Sequence, residues 1–457
     1  MRVAAVALWL VIWQLASMAV GQALILPGPV EVARALCRLV VSLAFWQKVL
    51  FSLCRIAGGA LLAYAVALVL AAASHAHVGV RVFVRPPLLA MKATPVVCVV
   101  VLLLLWLGAS YVSVAAVFLM VLPAVYFPAL EGLGQACVSM RELMAVHGIR
   151  GPKRLLAYWW PELLPYLVAA SESVVGMSWK AGVAAELIGM PAGSIGERIY
   201  QAKLLLETAD LFAWTIVVIA LAALCEHAFL ALLRKSGKAS VRMAVRMRGA
   251  GAREARLACH GGRVAGDAPA LEAAGLVLPY GAAGGKPMSL SLMPGDRVCV
   301  FAKSGAGKTT LLRVLAGLER ACSGVAGAPR VSVVFQDSRL LEGASALDNV
   351  LLVADAGVYA QEAEDLLRRA IPEAEPTAPV STLSGGQRRR VEVVRALCAP
   401  GEAMLLDEPF AGLDTAAKAS MCELIRARLN GRTLLVATHD LADARSLGAS
   451  VFELPEA

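Results

Sequence analysis

Residues 302–310, Ala302-Lys303-Ser304-Gly305-Ala306-Gly307-Lys308-Thr309-Thr310, decide the fold of the C-terminal half of this chain. Residues 298–301 before them are an apolar run of strand length, and residues 311–318 after them carry apolar side chains at helical spacing. A strand, a glycine-rich loop and a helix opening on Lys-Thr-Thr form the context that wraps phosphate groups. Backbone N–H groups and the helix N-terminus face the anion, Lys308 reaches the β and γ phosphates, and the Thr309 hydroxyl reaches Mg2+. Ser304, Gly305, Ala306, Gly307, Lys308, Thr309 and Thr310 are therefore candidate nucleotide ligands. Ala302 stands where such loops usually begin with glycine, and its methyl group requires a φ below zero.

Downstream the signals keep a fixed order. Ala403-Met404-Leu405-Leu406-Asp407-Glu408 is an apolar strand ending in two carboxylates. At the ligand edge of a parallel sheet, Asp407 is placed to hold Mg2+ and Glu408 to polarise an attacking water. Leu383-Ser384-Gly385-Gly386-Gln387 lies just before that strand. A Ser-Gly-Gly turn opening a helix presents N–H donors to an anion. The motif resembles the signature of ABC ATPases, and that resemblance implies an α/β P-loop ABC ATPase domain with a helical subdomain, using ATP and Mg2+. It also implies roles for single residues. Gln336, after Val333-Val334-Phe335, is similar to the Q-loop glutamine that meets Mg2+ and the attacking water. Asp414 is similar to the D-loop aspartate, His439 in Thr438-His439-Asp440 to the switch histidine, and Tyr280 to the aromatic that stacks on adenine. In that family the anion at Ser384, Gly385, Gly386 and Gln387 is the γ phosphate bound by the opposite subunit. A second copy of the chain, or a close relative, is thus the expected partner.

Composition points elsewhere for the rest. Of 457 residues, 59% are hydrophobic and only 17% charged, which excludes an ordinary soluble enzyme throughout. Residues 1–233 hold 15 basic and 10 acidic residues, residues 234–270 hold 9 and 2, and residues 271–457 hold 19 and 22. The formal charge of +9 therefore resides mostly in a 37-residue joint rather than in a nucleic-acid-binding surface, and no nucleic acid is expected as partner. Ten cysteines are scattered with none at C-x-x-C spacing, as expected of free thiols in a reducing compartment.

A membrane span needs about 20 mostly apolar residues. Six stretches qualify, near 3–21, 50–73, 87–107, 111–130, 162–189 and 210–233, which predicts an all-α polytopic membrane domain of about six transmembrane helices. The first follows Met1-Arg2 and is read as a retained span rather than a signal peptide. The segments holding Arg81 and Arg85, then Arg141, Arg150, Lys153 and Arg154, then Arg234, Lys235 and Lys238 fall on one side, and the positive-inside rule makes that side cytoplasmic. The protein is expected in the cytoplasmic (inner) membrane with residues 271–457 in the cytosol. Arg55, Lys92, Glu172, Lys180 and Glu186 lie inside these stretches, where charges pair between helices, snorkel, or line a path.

Between the fourth and fifth stretches, Glu142, Gly148 and Pro161 keep a spacing in which a short helix ends at a glycine, the chain turns through Gly151-Pro152, and a second helix runs back from Pro161. This spacing resembles the cytoplasmic coupling loop of binding-protein-dependent import permeases. Leu143-Met144 replaces the family's Ala-Ala, and Tyr158-Trp159-Trp160 its Ile-x-Leu. Leu26-Pro27-Gly28-Pro29, the stretch from Thr94-Pro95 to Trp106-Leu107-Gly108, and Ala185-Glu186-Leu187-Ile188-Gly189 resemble the nitrate, sulfonate and taurine branch, which includes transporters of thiamine precursors. The resemblance covers nearly all of residues 1–233 and implies a permease fused to an ATPase, an extracytoplasmic solute-binding protein as partner and a small-molecule solute. An exporter half-transporter is the second reading, against which stand the short segments between spans; a non-transporting regulatory ABC ATPase is the third.

The joint, residues 234–270, is rich in Arg, Gly and Ala without a sustained apolar period, and reads as a solvated linker. Basic residues near a membrane are attracted to anionic lipid by about 1 kcal/mol each. A peptide of this joint is expected to bind vesicles more tightly as their anionic lipid content rises; binding indifferent to that content would remove membrane lipid as its partner.

Overall fold

The computed structural model describes residues 2–247, 269–279, 286–303, 305–327, 330–355 and 357–454. It divides into two compact units, residues 1–136 with 162–235, and residues 137–161 with 236–457.

The first unit is helical. Its elements are α1 (Arg2–Val20), α2 (Pro29–Val40), α3 (Leu43–Ala76), α4 (Val78–Ala93), α5 (Val96–Leu107), α6 (Val112–Gly134), most of α9 (Trp160–Gly189), α10 (Ile195–Leu204) and most of α11 (Thr208–Arg246). Among the described residues α3, α6 and α11 are long and apolar enough to cross a membrane. The expected span 87–107 is not one straight helix. It falls on α4 and α5, which meet at 107°. Pro95 has no N–H to continue the ladder and pushes Thr94 into extended backbone (φ −81, ψ 127), so the helix breaks there. The expected spans 3–21 and 162–189 correspond to α1, whose residues Ala4–Val20 form an apolar helix, and to α9, which carries Glu162, Glu172, Lys180 and Glu186. The first thirteen residues of the expected joint continue α11 to Arg246, because they contain no proline and one glycine among good helix formers. Residues 248–268 lie outside the described residues.

Small residues and buried hydroxyls hold this unit together, as in apolar surroundings where side-chain burial gains nothing over lipid. A Cβ at Gly59 would meet the Val114 carbonyl at 2.7 Å, so α3 and α6 approach backbone to backbone. A Cβ at Gly182 of α9 would meet Ile56 at 2.5 Å. The Tyr126 hydroxyl donates to Ser74 Oγ at 2.9 Å, and Tyr64 and Ser171 share a hydrogen bond of 2.5 Å. Four of the five intramembrane charges have partners among the described residues, and Lys180 is exposed. Glu172 faces Arg234 at 3.6 Å, Lys92 lies over the Phe127 ring, and Arg55 Nε donates to Ser113 Oγ at 3.1 Å. Glu186 Oε2 accepts from Ser52 Oγ at 2.7 Å and from the Gly196 N–H at 3.3 Å.

The second unit begins with α7 (Val138–Val146), the short α8 (Gly151–Arg154) and a π-helical turn (Leu155–Trp159). After α11 follow β1 (Leu271–Val277), β2 (Met288–Leu292), β3 (Arg297–Phe301), α12 (Lys308–Leu315), β4 (Ser323–Gly327) and β5 (Val331–Val334). Then come α13 (Ala346–Val353), α14 (Ala360–Ala370), α15 (Gly385–Cys398), β6 (Ala403–Asp407), α16 (Thr415–Arg428), β7 (Thr433–Thr438), α17 (Leu441–Leu447) and β8 (Ser450–Glu453). An antiparallel sheet has the order β2-β1-β4, and a parallel sheet the order β5-β6-β7-β3-β8. Strands β5, β6 and β7 are buried along their whole length, as continuous apolar runs in a covered parallel sheet must be. Helices α13, α14 and α15 share one apolar core with β6 and β7 and form the expected helical part. The nine cysteines among the described residues are free, as expected.

Replacing Gly59 by alanine forces the α3–α6 crossing apart at a backbone oxygen, a strain of about 1–3 kcal/mol. G59A is expected to lower the thermal unfolding midpoint of the detergent-solubilised chain, whereas G58A, with open space at its Cβ, is expected to hold or raise it.

Candidate functional site

Four parallel strands end side by side and deliver the candidate residues. The register pairs Phe301 with Thr438, Ala437 with Asp407, and Leu406 with Val334. Parallel strands gather their carboxyl ends at one edge. In lateral order that edge carries Gln336 after β5, Asp407 and Glu408 after β6, His439 after β7, and the glycine-rich loop after β3.

The loop has the shape its sequence requires. Gly305 (φ 81) and Gly307 (φ 103) occupy the left-handed region, which glycine enters without steric cost, while Ala302 does not. The methyl group at Ala302 is thereby accommodated. Lys308, the first residue of α12, is buried, and its Nζ donates to the carbonyls of Ala302 at 2.5 Å and Lys303 at 3.2 Å. Ala306 N–H donates to the Lys303 carbonyl, and Thr310 lies on the first turn of α12. Ser304 and Tyr280 lie outside the described residues.

Thr309, Gln336 and Asp407 line one cavity of about 310 Å3 together with Arg313, Phe335, Asp337 and Arg339. Thr309 Oγ1 lies 3.4 Å from Gln336 Oε1 and within hydrogen-bond reach of the Asp407 carboxylate, so its one proton is shared between the two acceptors. A hydroxyl, an amide oxygen and a carboxylate converging in this way are the donors a hard divalent cation takes, so the residues present fit Mg2+. Burial pushes the Asp407 carboxyl up from its ordinary value, the Thr309 hydrogen bond opposes this, and the charge of Glu408 adds to it. A bound cation would restore the ionised form.

Glu408 is held in a left-handed conformation (φ 47) that costs a side-chain-bearing residue about 1–3 kcal/mol. Its N–H donates to the Ala437 carbonyl at 2.9 Å, and its own carbonyl accepts from Arg389 Nη2 at 2.8 Å. With both flanking peptides fixed, its carboxylate is directed at His439, whose Nδ1 lies 2.9 Å from each oxygen. The Glu408 hydrogen bond holds the exposed His439 ring above its ordinary pKa of 6.5. The attraction is therefore complete below that ordinary value and fades as pH rises through the raised one.

The Ser-Gly-Gly turn opens α15 with a reciprocal cap. Ser384 Oγ accepts from the Gln387 N–H at 3.3 Å, and Gln387 Oε1 accepts from the Ser384 N–H at 2.8 Å. Gly386 lets the Gly412 carbonyl approach to 3.2 Å of where a Cβ would stand, while Gly385 has open space. Asp414 caps α16, accepting from the Ala417 N–H at 2.7 Å.

Residues 137–161 pack within the second unit. α7 ends at Val146 with His147 as its cap, Gly148 takes the left-handed position (φ 63), and the Ile149 N–H returns to the Met144 carbonyl at 2.9 Å. The helix expected to start at Pro161 starts ten residues earlier, at Gly151, and passes through the π turn before reaching Pro161. Pro161 cannot donate to the carbonyl four residues back, and a widened turn directly before it absorbs that missing bond. Glu142 lies between two guanidinium groups: its Oε1 accepts from Arg313 Nη2 at 2.8 Å and its Oε2 from Arg339 Nη1 at 2.8 Å. Arg313 first, and then Arg339, hold the Glu142 carboxyl below its ordinary value against the opposing effect of burial. His147 beside it is pushed down to about 3 by burial and by the charges of Arg395 and Lys153, so its ring is neutral.

Arg313, Arg339 and Arg389 escaped the sequence reading. Each lies near a named motif, but no spacing rule assigns them partners 171, 197 and 19 residues away.

Comparison with known proteins agrees with this geometry. A family model described as "ABC transporter" matches residues 286–411. The aliphatic sulfonates import ATP-binding protein SsuB of Delftia acidovorans is 39% identical over 172 residues, which are 36% of this chain and 71% of that protein. The protein of the same description from Corynebacterium glutamicum is 36% identical over 180 residues, 37% of this chain and 73% of its own. The chain belongs to the ABC transporter family. This ABC chain carries its ATPase domain behind a helical region containing several apolar helices. A solved dimeric bacterial ABC transporter cassette is 24% identical, covering 40% of this chain and 94% of that chain, with a TM-score of 0.35.

The Glu408–His439 contact can be read directly by NMR of histidine-labelled protein. In E408Q the His439 titration midpoint is expected to fall back toward 6.5; an unchanged midpoint would mean that the two side chains do not meet in solution.

Proposed function

We propose that two copies of this ABC protein form an ATP-driven importer of the cytoplasmic membrane. Residues 1–233 act as permease, residues 234–270 as a cytoplasmic joint and residues 271–457 as cytosolic ATPase. The observation that carries this reading is the seat of Glu142 between Arg313 and Arg339, because it ties a segment lying in sequence between apolar helices to the unit that holds the phosphate loop.

In this proposal the phosphate loop, from Ser304 through Thr310, cradles the triphosphate, with Lys308 as its main side-chain cation and Tyr280 against the adenine. Thr309, Gln336 and Asp407 would hold Mg2+, which would screen phosphate charge. Glu408 orients and deprotonates the attacking water, and His439, with a ring nitrogen already on that carboxylate, keeps it aimed. Ser384, Gly385, Gly386 and Gln387 of one copy face the γ phosphate held by the other, and Asp414 lies beside that junction. Closure and release of the pair move the segment of Glu142, Gly148 and Pro161, and with it the permease. An extracytoplasmic binding protein delivers the solute. The names of the similar proteins favour an aliphatic sulfonate or a like anion, ahead of nitrate or a thiamine-precursor-like solute.

The test is uptake of radiolabelled ethanesulfonate into proteoliposomes supplied with the binding protein that co-purifies with the chain. K308A is expected to lower ATP hydrolysis at least about a hundredfold, the scale of losing a main electrostatic partner of the transferred group. E408Q is expected to abolish both hydrolysis and uptake. Near-normal turnover in K308A would place the site elsewhere, and uptake untouched by E408Q would favour a regulatory ATPase.

A further inference from the structure

The polar network that begins at Glu142 does not stop at Arg339. Glu392 of α15 is 1% exposed, and its Oε1 accepts from the Arg339 backbone N–H at 2.7 Å and from Ser338 Oγ at 2.9 Å. Its Oε2 accepts from Arg389 Nη1 at 3.0 Å. Arg389, 6% exposed, directs the rest of its fork at main-chain carbonyls: Phe335 from Nη1, Asp407 from Nη2, and Glu408 from Nη2 and Nε. These carbonyls belong to the chain ends that present Gln336, Asp407 and Glu408. One guanidinium thus joins the exits of β5 and β6, and one carboxylate joins that guanidinium to the arginine on which Glu142 sits.

Two physical features make the arrangement more than core filling. Glu408 has a backbone conformation that only over-determined surroundings maintain, and Arg389 holds the carbonyl of that residue. The bonds are made by a charged donor with a rigid planar fork, so they fix direction as well as distance. A shift of the Arg339 main chain reaches Glu392 through a backbone N–H.

We propose that Arg389 is a positioning residue for ATP hydrolysis: it fixes the main chain that aims Gln336, Asp407 and Glu408, and through Glu392 and Arg339 it makes that aim depend on Glu142. This rests on the coupling and hydrolytic roles proposed above for Glu142 and Glu408.

The test is a double-mutant cycle on the full chain in lipid nanodiscs, reading kcat and KM for MgATP in wild type, E142Q, R389K and the double variant. Lysine keeps the charge and loses the fork. R389K is expected to lower kcat at least tenfold with KM within threefold. E142Q is expected to lower kcat several-fold in the wild-type background and less than twofold in the R389K background. A R389K turnover within twofold of wild type, or an E142Q factor equal in both backgrounds, overturns the proposal. E142Q without effect in the wild-type background overturns the coupling reading itself, and the proposal with it. Should R389K not yield folded protein, S338A, which removes one donor to Glu392 and no charge, takes its place in the same cycle, with an expected two- to threefold loss of kcat; no loss overturns the proposal.

Discussion

The second unit depends on how it neutralises buried positive charge. Arg339, Arg389 and Arg395 are 4%, 6% and 2% exposed. An unpaired buried charge costs several kcal/mol, and two buried like charges aggravate each other. The chain answers with Glu392 among the three and with carbonyl oxygens, including that of Arg339 accepting from Arg395. One carboxylate does not balance three guanidinium groups. The remaining compensation comes from Asp337 and from Glu142, which belongs to a stretch of sequence almost two hundred residues earlier. A neutral His147 near Arg395 is consistent with the same excess, since a second cation there would be repelled. The segment of Glu142 is therefore held by an electrostatic need of the ATPase core rather than by shape alone.

Much of the catalytic edge was legible in the sequence because each of its parts is a local device. The phosphate loop needs glycine at Gly305 and Gly307 for positive φ, the capping box needs Ser384 and Gln387 three apart, and a strand ending in Asp407-Glu408 announces a sheet edge. The order of strands that brings these ends into one row was only implied. What stayed hidden depends on long-range chemistry or on backbone accommodation. Arginine has no motif, so Arg313, Arg339 and Arg389 became meaningful only through their partners. The left-handed Glu408 is invisible to residue type, since glutamate gives no hint of a positive φ. Pro161 was read as a helix start, whereas the helix absorbs it with a widened turn; proline near a helix terminus permits both outcomes.

In the helical unit the hydropathy of residues was a good guide to where helices lie and a poorer guide to their continuity. The break before Pro95 was written in the chain, but a window of apolar residues averages over it. The joint begins as helix for a related reason: a basic, polar composition reads as a linker, and nothing in residues 234–246 opposes a helix. Polarity reports exposure, and backbone preference reports conformation; the two separate where a helix leaves apolar surroundings.

The crossings at Gly59 and Gly182, with the hydroxyl pairs Tyr64–Ser171 and Tyr126–Ser74, fasten α3 to both α6 and α9. Close-packed protein is stiff, and a crossing with no room for a methyl group has no slack to slide. Stiffness in this unit is accordingly uneven. The trio α3, α6 and α9 acts as a beam, whereas the α4–α5 elbow, with an apolar cavity of about 250 Å3 between Pro87, Thr94 and Met120, is its compliant joint. A bend at that elbow disturbs less packing than a slide at either glycine crossing.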